Sequence, residues 1–208
     1  MKAVCIDGRA ITINNVVDIA HRRNRLTLTD DDAFRRRINR GADLLDEILE
    51  RDGVVYGVTT GYGDSFTVSV PRALVAELPR QLYTYHGVGL GAHFQPIETR
   101  AILVARLVSL AQGMSAVSMA LLERLALLID RDVLPLIPSE GSVGASGDLT
   151  PLSYVAAVLC GERQVWRNNQ HVAASQALSE LGVHPLTLRP KEGLAIMNGT
   201  AVMTGLAC

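Results

Sequence analysis

Gly141-Ser142-Val143-Gly144-Ala145-Ser146-Gly147-Asp148-Leu149-Thr150-Pro151-Leu152 is the stretch on which the reading of this chain turns. It is dense in small residues and lies between two apolar segments of helical period. Ala-Ser-Gly is an ordinary loop sequence, and it is also one of the few tripeptides that can react with itself. The Gly147 amide nitrogen attacks the Ala145 carbonyl and closes a five-membered ring. Loss of water, the Ser146 hydroxyl included, then leaves an exocyclic methylidene carbon. Gly147 has no Cβ to block a strained approach, and the Ala145 carbonyl is uncrowded. The product is an electrophile made from backbone alone. On composition, two other readings stand beside it. One is a plain connector, the commoner fate of such a sequence. The other is an anion-binding turn, although the stretch contains no lysine and no Gly-x-x-x-x-Gly-Lys-Ser/Thr pattern.

Outward from this stretch the periodicity is helical. Asp148 can cap a helix over residues 149–159, with Pro151 tolerated in its first turn. The tripeptide then sits just before a helix N-terminus, where the dipole favours negative charge. Upstream, residues 97–113 and 116–131 are apolar over most faces, as helices buried inside a larger helical assembly are. Pro135 and Pro138 end the second of these. Ser69 and Pro71 open a helix that carries Leu74, Leu78, Leu82 and Tyr85 on one side, and Pro79 is expected to kink it. Thr29 followed by Asp30-Asp31-Asp32 starts a helix with the apolar stripe Phe34, Ile38, Leu45, Ile48 and Leu49, stopped at Gly53. Residues 3–13 alternate as a β-hairpin around Asp7-Gly8, and Asn14 or Asn15 caps a short helix over 16–24. Downstream, Gln164-Val165-Trp166 and His171-Val172 form a hairpin about Asn168-Asn169, and Ser175 caps a short helix. The chain therefore predicts as mainly α with small β-hairpins. It leaves through an apolar stretch at Cys208 that reads as a cut through a helix.

Composition narrows the function classes. The chain has 208 residues, a formal net charge of -1 and 48% hydrophobic residues, with mean hydropathy +0.20. That length buries a substantial core in one large or two small domains. Near-zero charge gives no reason to expect nucleic acid as a partner, and Arg22-Arg23 and Arg35-Arg36-Arg37 lie among acidic residues as solvated helix faces. Cys5, Cys160 and Cys208 are odd in number and far apart. With no Cys-x-x-Cys and no Cys/His cluster, neither a metal site nor a disulfide framework is expected, and reduced thiols point to the cytoplasm. The N-terminus does not read as a secretory signal. The apolar run near 101–110, interrupted by Arg100 and Arg106, is too short to span a membrane.

Three more segments stand out. Tyr56-Gly57-Val58-Thr59-Thr60-Gly61-Tyr62-Gly63 is a loop with an aromatic near each end. His86-Gly87-Val88-Gly89-Leu90-Gly91 is a second glycine-rich loop. Lys191-Glu192-Gly193-Leu194-Ala195-Ile196-Met197-Asn198-Gly199-Thr200 leads into the last apolar stretch. Taken singly, Tyr56 is a core aromatic or an exposed acid-base group, His86 a structural or catalytic histidine, and Asn198 a turn residue or a ligand. Taken together and in this order, the four segments resemble the aromatic amino acid lyase family, comprising histidine, phenylalanine and tyrosine ammonia-lyases and related aminomutases. The resemblance covers residues 1–208 and leans to the histidine enzymes.

What the resemblance implies is specific. The fold would be the N-terminal prosthetic-group domain of the ammonia-lyase fold, residues 1–208, lacking the long C-terminal helical bundle. Ala145, Ser146 and Gly147 would be precursors of a self-formed methylidene-imidazolone, with no metal and no external cofactor. The reaction would be non-oxidative deamination of an aromatic L-amino acid, a step of amino acid catabolism. A β-hydrogen is weakly acidic and an amine leaves poorly, so an electrophile for the amine and a base for the proton are both needed. Tyr56 matches the family's base, and Asn198 a residue near the prosthetic group and substrate. Positions 85 and 86 tune the ring pocket: histidine lyases resemble Ser-His there, tyrosine lyases His-Leu and plant phenylalanine lyases Phe-Leu. This chain has Tyr85-His86, which favours histidine, converted to urocanate. Tyrosine or phenylalanine deamination and a 2,3-aminomutase activity are the alternatives. An inactive structural fragment is the alternative of another class. Family members are longer homotetramers whose neighbouring subunits complete the site, so the apolar helices at 97–131 are expected to lack part of their cover.

Overall fold

The chain enters through a β-α-β unit. In this computed structural model, which describes residues 2–51, 53–144 and 146–208, β1 (Lys2–Ile6) is followed by α1 (Ile13–Ala20) and β2 (Asn24–Leu28). β1 and β2 pair in parallel, Lys2 opposite Asn24 and Ile6 opposite Leu28. The hairpin expected about Asp7-Gly8 is therefore corrected. Period-two alternation is the same for a parallel and an antiparallel partner, so it does not choose between them. Helix α1 also ends earlier than expected, and Thr12 caps it in place of Asn14 or Asn15. The Thr12 hydroxyl accepts the Asn15 N–H at 3.2 Å, while the Asn15 amide oxygen accepts the Thr12 N–H at 3.1 Å, a reciprocal capping box.

Helix α2 (Asp32–Glu50) begins where the acidic run predicts. Asp31 is its cap, accepting the Ala33 and Phe34 N–H groups at 3.1 and 3.3 Å. Phe34, Ile38 and Leu45 are buried along one stripe, and Ile48 turns outward. The expected long kinked helix after Ser69 is instead a 3-10 turn (Arg72–Leu74) followed by α3 (Leu78–Tyr85). Pro79 lies in the first turn of α3, where a missing N–H costs nothing. Leu82 and Tyr83 are buried, whereas Leu74 and Tyr85 face solvent.

After β3 (Leu90–His93) come α4 (Pro96–Leu110) and α5 (Met119–Asp130). Ile102, Leu103, Val104, Leu107, Leu110, Leu121, Leu122, Leu125 and Leu128 are fully buried. The two helices are thus covered within this chain, contrary to the expectation that they lack cover. Ile97 and Met114 are the exposed apolar exceptions there. Pro135 and Pro138 belong to short strands, β4 (Leu134–Pro135) and β5 (Pro138–Glu140), and not to a helix end. β5 pairs antiparallel with β3.

Helix α6 (Leu149–Leu159) follows the opening stretch and is buried over nearly every face. β6 (Gln164–Arg167) and β7 (Gln170–Ala173) form the expected hairpin, which pairs with β4. Asn168 and Asn169 take φ of 50° and 59°, a left-handed pair suited to asparagine at a tight hairpin turn. Helix α7 (Ala174–Glu180) is capped at Ala173, so Ser175 lies inside it. Helices α8 (Glu192–Met197) and α9 (Ala201–Ala207) close the chain. α8 packs on α3, α4 and α6, and α9 lies along α4. No helix among the described residues is long and apolar enough to cross a membrane. No His, Cys, Asp and Glu side chains among them group as a metal site.

Candidate active site

The opening stretch and the Asn198 segment meet backbone to backbone. Gly147 is buried with φ +143°, and a Cβ built there would lie 2.5 Å from the Gly199 nitrogen and 3.2 Å from the Asn198 carbonyl carbon. Only glycine allows that approach. The Asp148 N–H donates to the Gly199 carbonyl at 2.8 Å. Ser146 is exposed beside this contact, and Asn198 is exposed at the end of α8. The Ala145 assignment lies outside the described residues.

Asp148 stands at the N-cap position of α6, but its carboxylate makes no cap bond there. Instead it accepts the Val202 and Met203 N–H groups at 2.9 and 3.2 Å and the Ser142 hydroxyl at 2.8 Å. The expected cap of α6 is thus a cap of α9, because the Gly147–Gly199 contact brings the start of α9 alongside. One buried carboxylate ties the upstream end of the stretch, its centre and the last helix together. Behind it lies Arg106 of α4, 4% exposed. Its guanidinium donates to the Ala195 carbonyl of α8. Burial holds its pKa down to about 10, and the Asp148 charge opposes that shift. From sequence, Arg106 is only an interruption of an apolar run. The signal of its role is that a charge inside an otherwise apolar helix requires a buried partner.

The Tyr56 loop folds onto α8. Gly57 has φ +67°, and a Cβ there would meet Leu194 Cδ2 at 2.7 Å and the Tyr62 ring at 2.8 Å. The two threonines shape the loop: Thr59 Oγ1 accepts the Val55 N–H at 2.8 Å, and Thr60 Oγ1 accepts the Gly57 N–H at 3.2 Å. The Tyr56 hydroxyl accepts the Gly63 N–H at 2.9 Å, and its side chain is half exposed. Burial pushes the Tyr62 phenol up to about 12, with Tyr56 nearby adding to the shift.

The His86 loop is fastened to the other end of the stretch. A Cβ on Gly141 would meet Gly89 Cα at 3.3 Å, and one on Gly89 would meet Pro138 Cβ at 2.9 Å. His86 is half-buried, with Nδ1 2.9 Å from the Leu82 carbonyl. A carbonyl only accepts, so Nδ1 carries a proton, and in the neutral ring Nε2 is then an acceptor. Tyr85 is 79% exposed and meets the His86 ring edge-on at 5.2 Å. It lines a cavity of about 870 Å³ with Arg80, Tyr83, Cys160, Glu162 and Leu188. Neither Tyr56, Ser146 nor Asn198 is among the walls of that cavity.

Among the described residues, Ser146 and Gly147 fit a prosthetic group of the kind the sequence implies. The backbone packing at Gly147 excludes any side chain and holds the tripeptide's last residue rigidly. Ser146 beside it is exposed.

The sequence profile of the family described as aromatic amino acid lyase matches residues 11–208. An MIO-dependent tyrosine 2,3-aminomutase of Streptomyces globisporus is 42% identical over 98% of this chain and 37% of its own length. A histidine ammonia-lyase of Shouchella clausii is 37% identical over 98% of this chain and 40% of its own. The crystal structure of the Streptomyces globisporus tyrosine aminomutase superposes with a TM-score of 0.89 at 40% identity, over 98% of this chain and 38% of that one. An ergothionase from Treponema denticola superposes at 0.92 with 26% identity, over 99% and 41%. The chain thus spans about two fifths of the length of these relatives. With the family profile matching residues 11–208 of this chain, the chain belongs to the aromatic amino acid lyase family.

Proposed function

We propose that residues 1–208 form the prosthetic-group-bearing domain of an enzyme that eliminates ammonia from an aromatic L-amino acid, with histidine the favoured substrate. The observation that carries the proposal is the contact of Gly147 with Asn198-Gly199, locked by Asp148. It joins the reactive tripeptide to the segment the family uses beside it. When formed, a methylidene-imidazolone from Ala145, Ser146 and Gly147 supplies an electrophilic carbon for the substrate amine. Tyr56, its oxygen held by the Gly63 N–H, takes the β-proton. Asn198 offers an amide to the substrate from the exposed end of α8. The products are ammonia and an α,β-unsaturated acid, with no change of overall oxidation state.

His86 supports a substrate ring that can donate a hydrogen bond, because with Nδ1 turned to the Leu82 carbonyl the neutral ring presents Nε2 as an acceptor. An imidazole N–H and a phenol O–H both meet that demand. The 42% identity to a tyrosine 2,3-aminomutase favours a second reading. In it tyrosine is the substrate and ammonia is returned at the β-carbon. The assembly we propose is a cytoplasmic homotetramer. The open faces of Ser146, Tyr56 and Asn198, and the apolar Val143 at 86% exposure, suit completion by a neighbouring subunit.

An ultraviolet assay for unsaturated acid with histidine, tyrosine and phenylalanine, on this chain and on a form as long as its relatives, tests the reading. Formation of urocanate supports it. A β-amino acid as main product replaces it with the aminomutase reading, and no product from any of the three amino acids with the longer form sinks both. Tyr56→Phe is expected to lower kcat by about 10²- to 10⁴-fold, the span of a lost general base. The variant should keep its modified mass, because Tyr56 is not a ring precursor. Wild-type turnover in that variant would remove Tyr56 from the role.

A further inference from the structure

Arg106 stands in an unusual place for a guanidinium. Ile102, Leu103, Leu107 and Leu110 around it on α4 are fully buried, and Arg106 itself is buried with them. A methionine or leucine would fill the same space without the cost of desolvating a charge. Its contacts with Ala195 and Gly199 lead to the junction of α8 and α9. The guanidinium donates to the Ala195 carbonyl. It also fills the side of Gly199 where a Cβ would stand, Cζ lying 2.9 Å from that position. The Gly199 backbone also meets Gly147 and accepts the Asp148 N–H. The carboxylate that opposes its desolvation is Asp148, itself only 5% exposed. Nε has no hydrogen-bond partner among the described residues. The group is therefore not placed to saturate its donors. It is placed as a charge and a wedge behind Gly199.

Resting on the proposed prosthetic group, we infer that Arg106 is a positioning residue for its formation. Arg106 presses the Asn198-Gly199 turn against Gly147 and balances the Asp148 carboxylate, and so holds Gly147, the residue whose nitrogen attacks, in place. In the closure, the Gly147 nitrogen bonds to the Ala145 carbonyl carbon. The Ala145 oxygen leaves as water with the amide hydrogens of Ser146 and Gly147. The Ser146 Oγ leaves as a second water with its own hydrogen and the Ser146 Cα hydrogen. No oxidant or reductant is needed. The reacting atoms must meet while other backbone conformers compete, so the rate depends on how firmly Gly147 is held. Arg106 does not touch the reacting atoms and acts through Gly199 and Asp148.

The test is intact mass, read as the fraction of chain that has lost two waters, with folding checked by circular dichroism and thermal melting. Wild type should be modified. Arg106→Met should fold and close on the order of a hundredfold more slowly, the scale of a misplaced reacting pair, leaving mostly unmodified chain. Arg106→Lys, which keeps a buried positive charge, should recover most of the modification. Arg106→Met modified to the wild-type level overturns the inference, and so does Arg106→Lys that melts like wild type yet is as unmodified as Arg106→Met. Should Arg106→Met not fold, Arg106→Gln decides. It keeps a donor for Ala195 without the charge, and full modification there overturns the inference while loss supports it. An unmodified wild type overturns the proposed function and this inference with it. A modified wild type with a modified Arg106→Met overturns this inference alone.

Discussion

Ser146→Ala is expected to leave the fold intact and remove the chemistry. Ser146 is exposed, so exchanging its hydroxyl for hydrogen should move stability by no more than about 0.5 kcal/mol. The chemical effect is large because the β-oxygen that leaves as the second water is gone. Ring closure can then expel at most one water, and no methylidene carbon forms. Turnover should fall on the order of 10³-fold or more, as when the group responsible for covalent catalysis is deleted. Intact mass and the unsaturated-acid assay, run on the same preparation, check both halves. Retained wild-type activity would contradict the role of Ser146. A modified mass in the variant would contradict the assignment of the leaving oxygen.

Asp148→Ala acts in the opposite way, on the structure first. The carboxylate accepts from Val202, Met203 and Ser142 and opposes the desolvation of Arg106. Its removal leaves the Val202 N–H without its partner in a buried position and Arg106 without its counter-charge. Each such loss costs more than the bond was worth, because the remaining group stays desolvated. A destabilisation of about 3 kcal/mol is expected, read as a lower denaturant midpoint with unchanged slope. The modified fraction should fall as well, because Gly147 loses the clamp that holds it on Gly199. Asp148→Asn separates the two contributions. It can still accept from α9 but carries no charge, so its loss of stability should be smaller. A wild-type midpoint for Asp148→Ala would mean that the α9 cap and the Arg106 charge balance contribute nothing.

Parts of the fold were legible because their causes are local. The Asp30-Asp31-Asp32 run opens α2, since an N-cap is decided by the next three residues. The Asn168-Asn169 turn predicts its hairpin for the same reason. Pro79 was legible as a constraint, but two positions satisfied it, a kink or a first turn, and packing of Leu82 and Tyr83 chose the second. The β1–β2 pairing was not legible. Alternation marks a strand's buried face and is silent on which strand lies beside it. Apolar cover for α4 was also misjudged, because α9, far along the chain, supplies it.

The site divides along the same line. By itself the sequence determined the Ala145-Ser146-Gly147 stretch, its companion segments and hence the family, because such motifs are properties of short runs of residues. Only the tertiary structure decided how those runs cooperate. It set Gly147 against Gly199, sent the Asp148 carboxylate to α9, 54 residues further on, and placed Arg106 behind both. It also placed Tyr85 on the wall of a cavity with Arg80, Tyr83 and Glu162. These are contacts between distant segments, selected by the close packing of small residues and the need to pair buried charge. No local pattern encodes the partner of such a contact, although each residue that makes one is visible in the sequence.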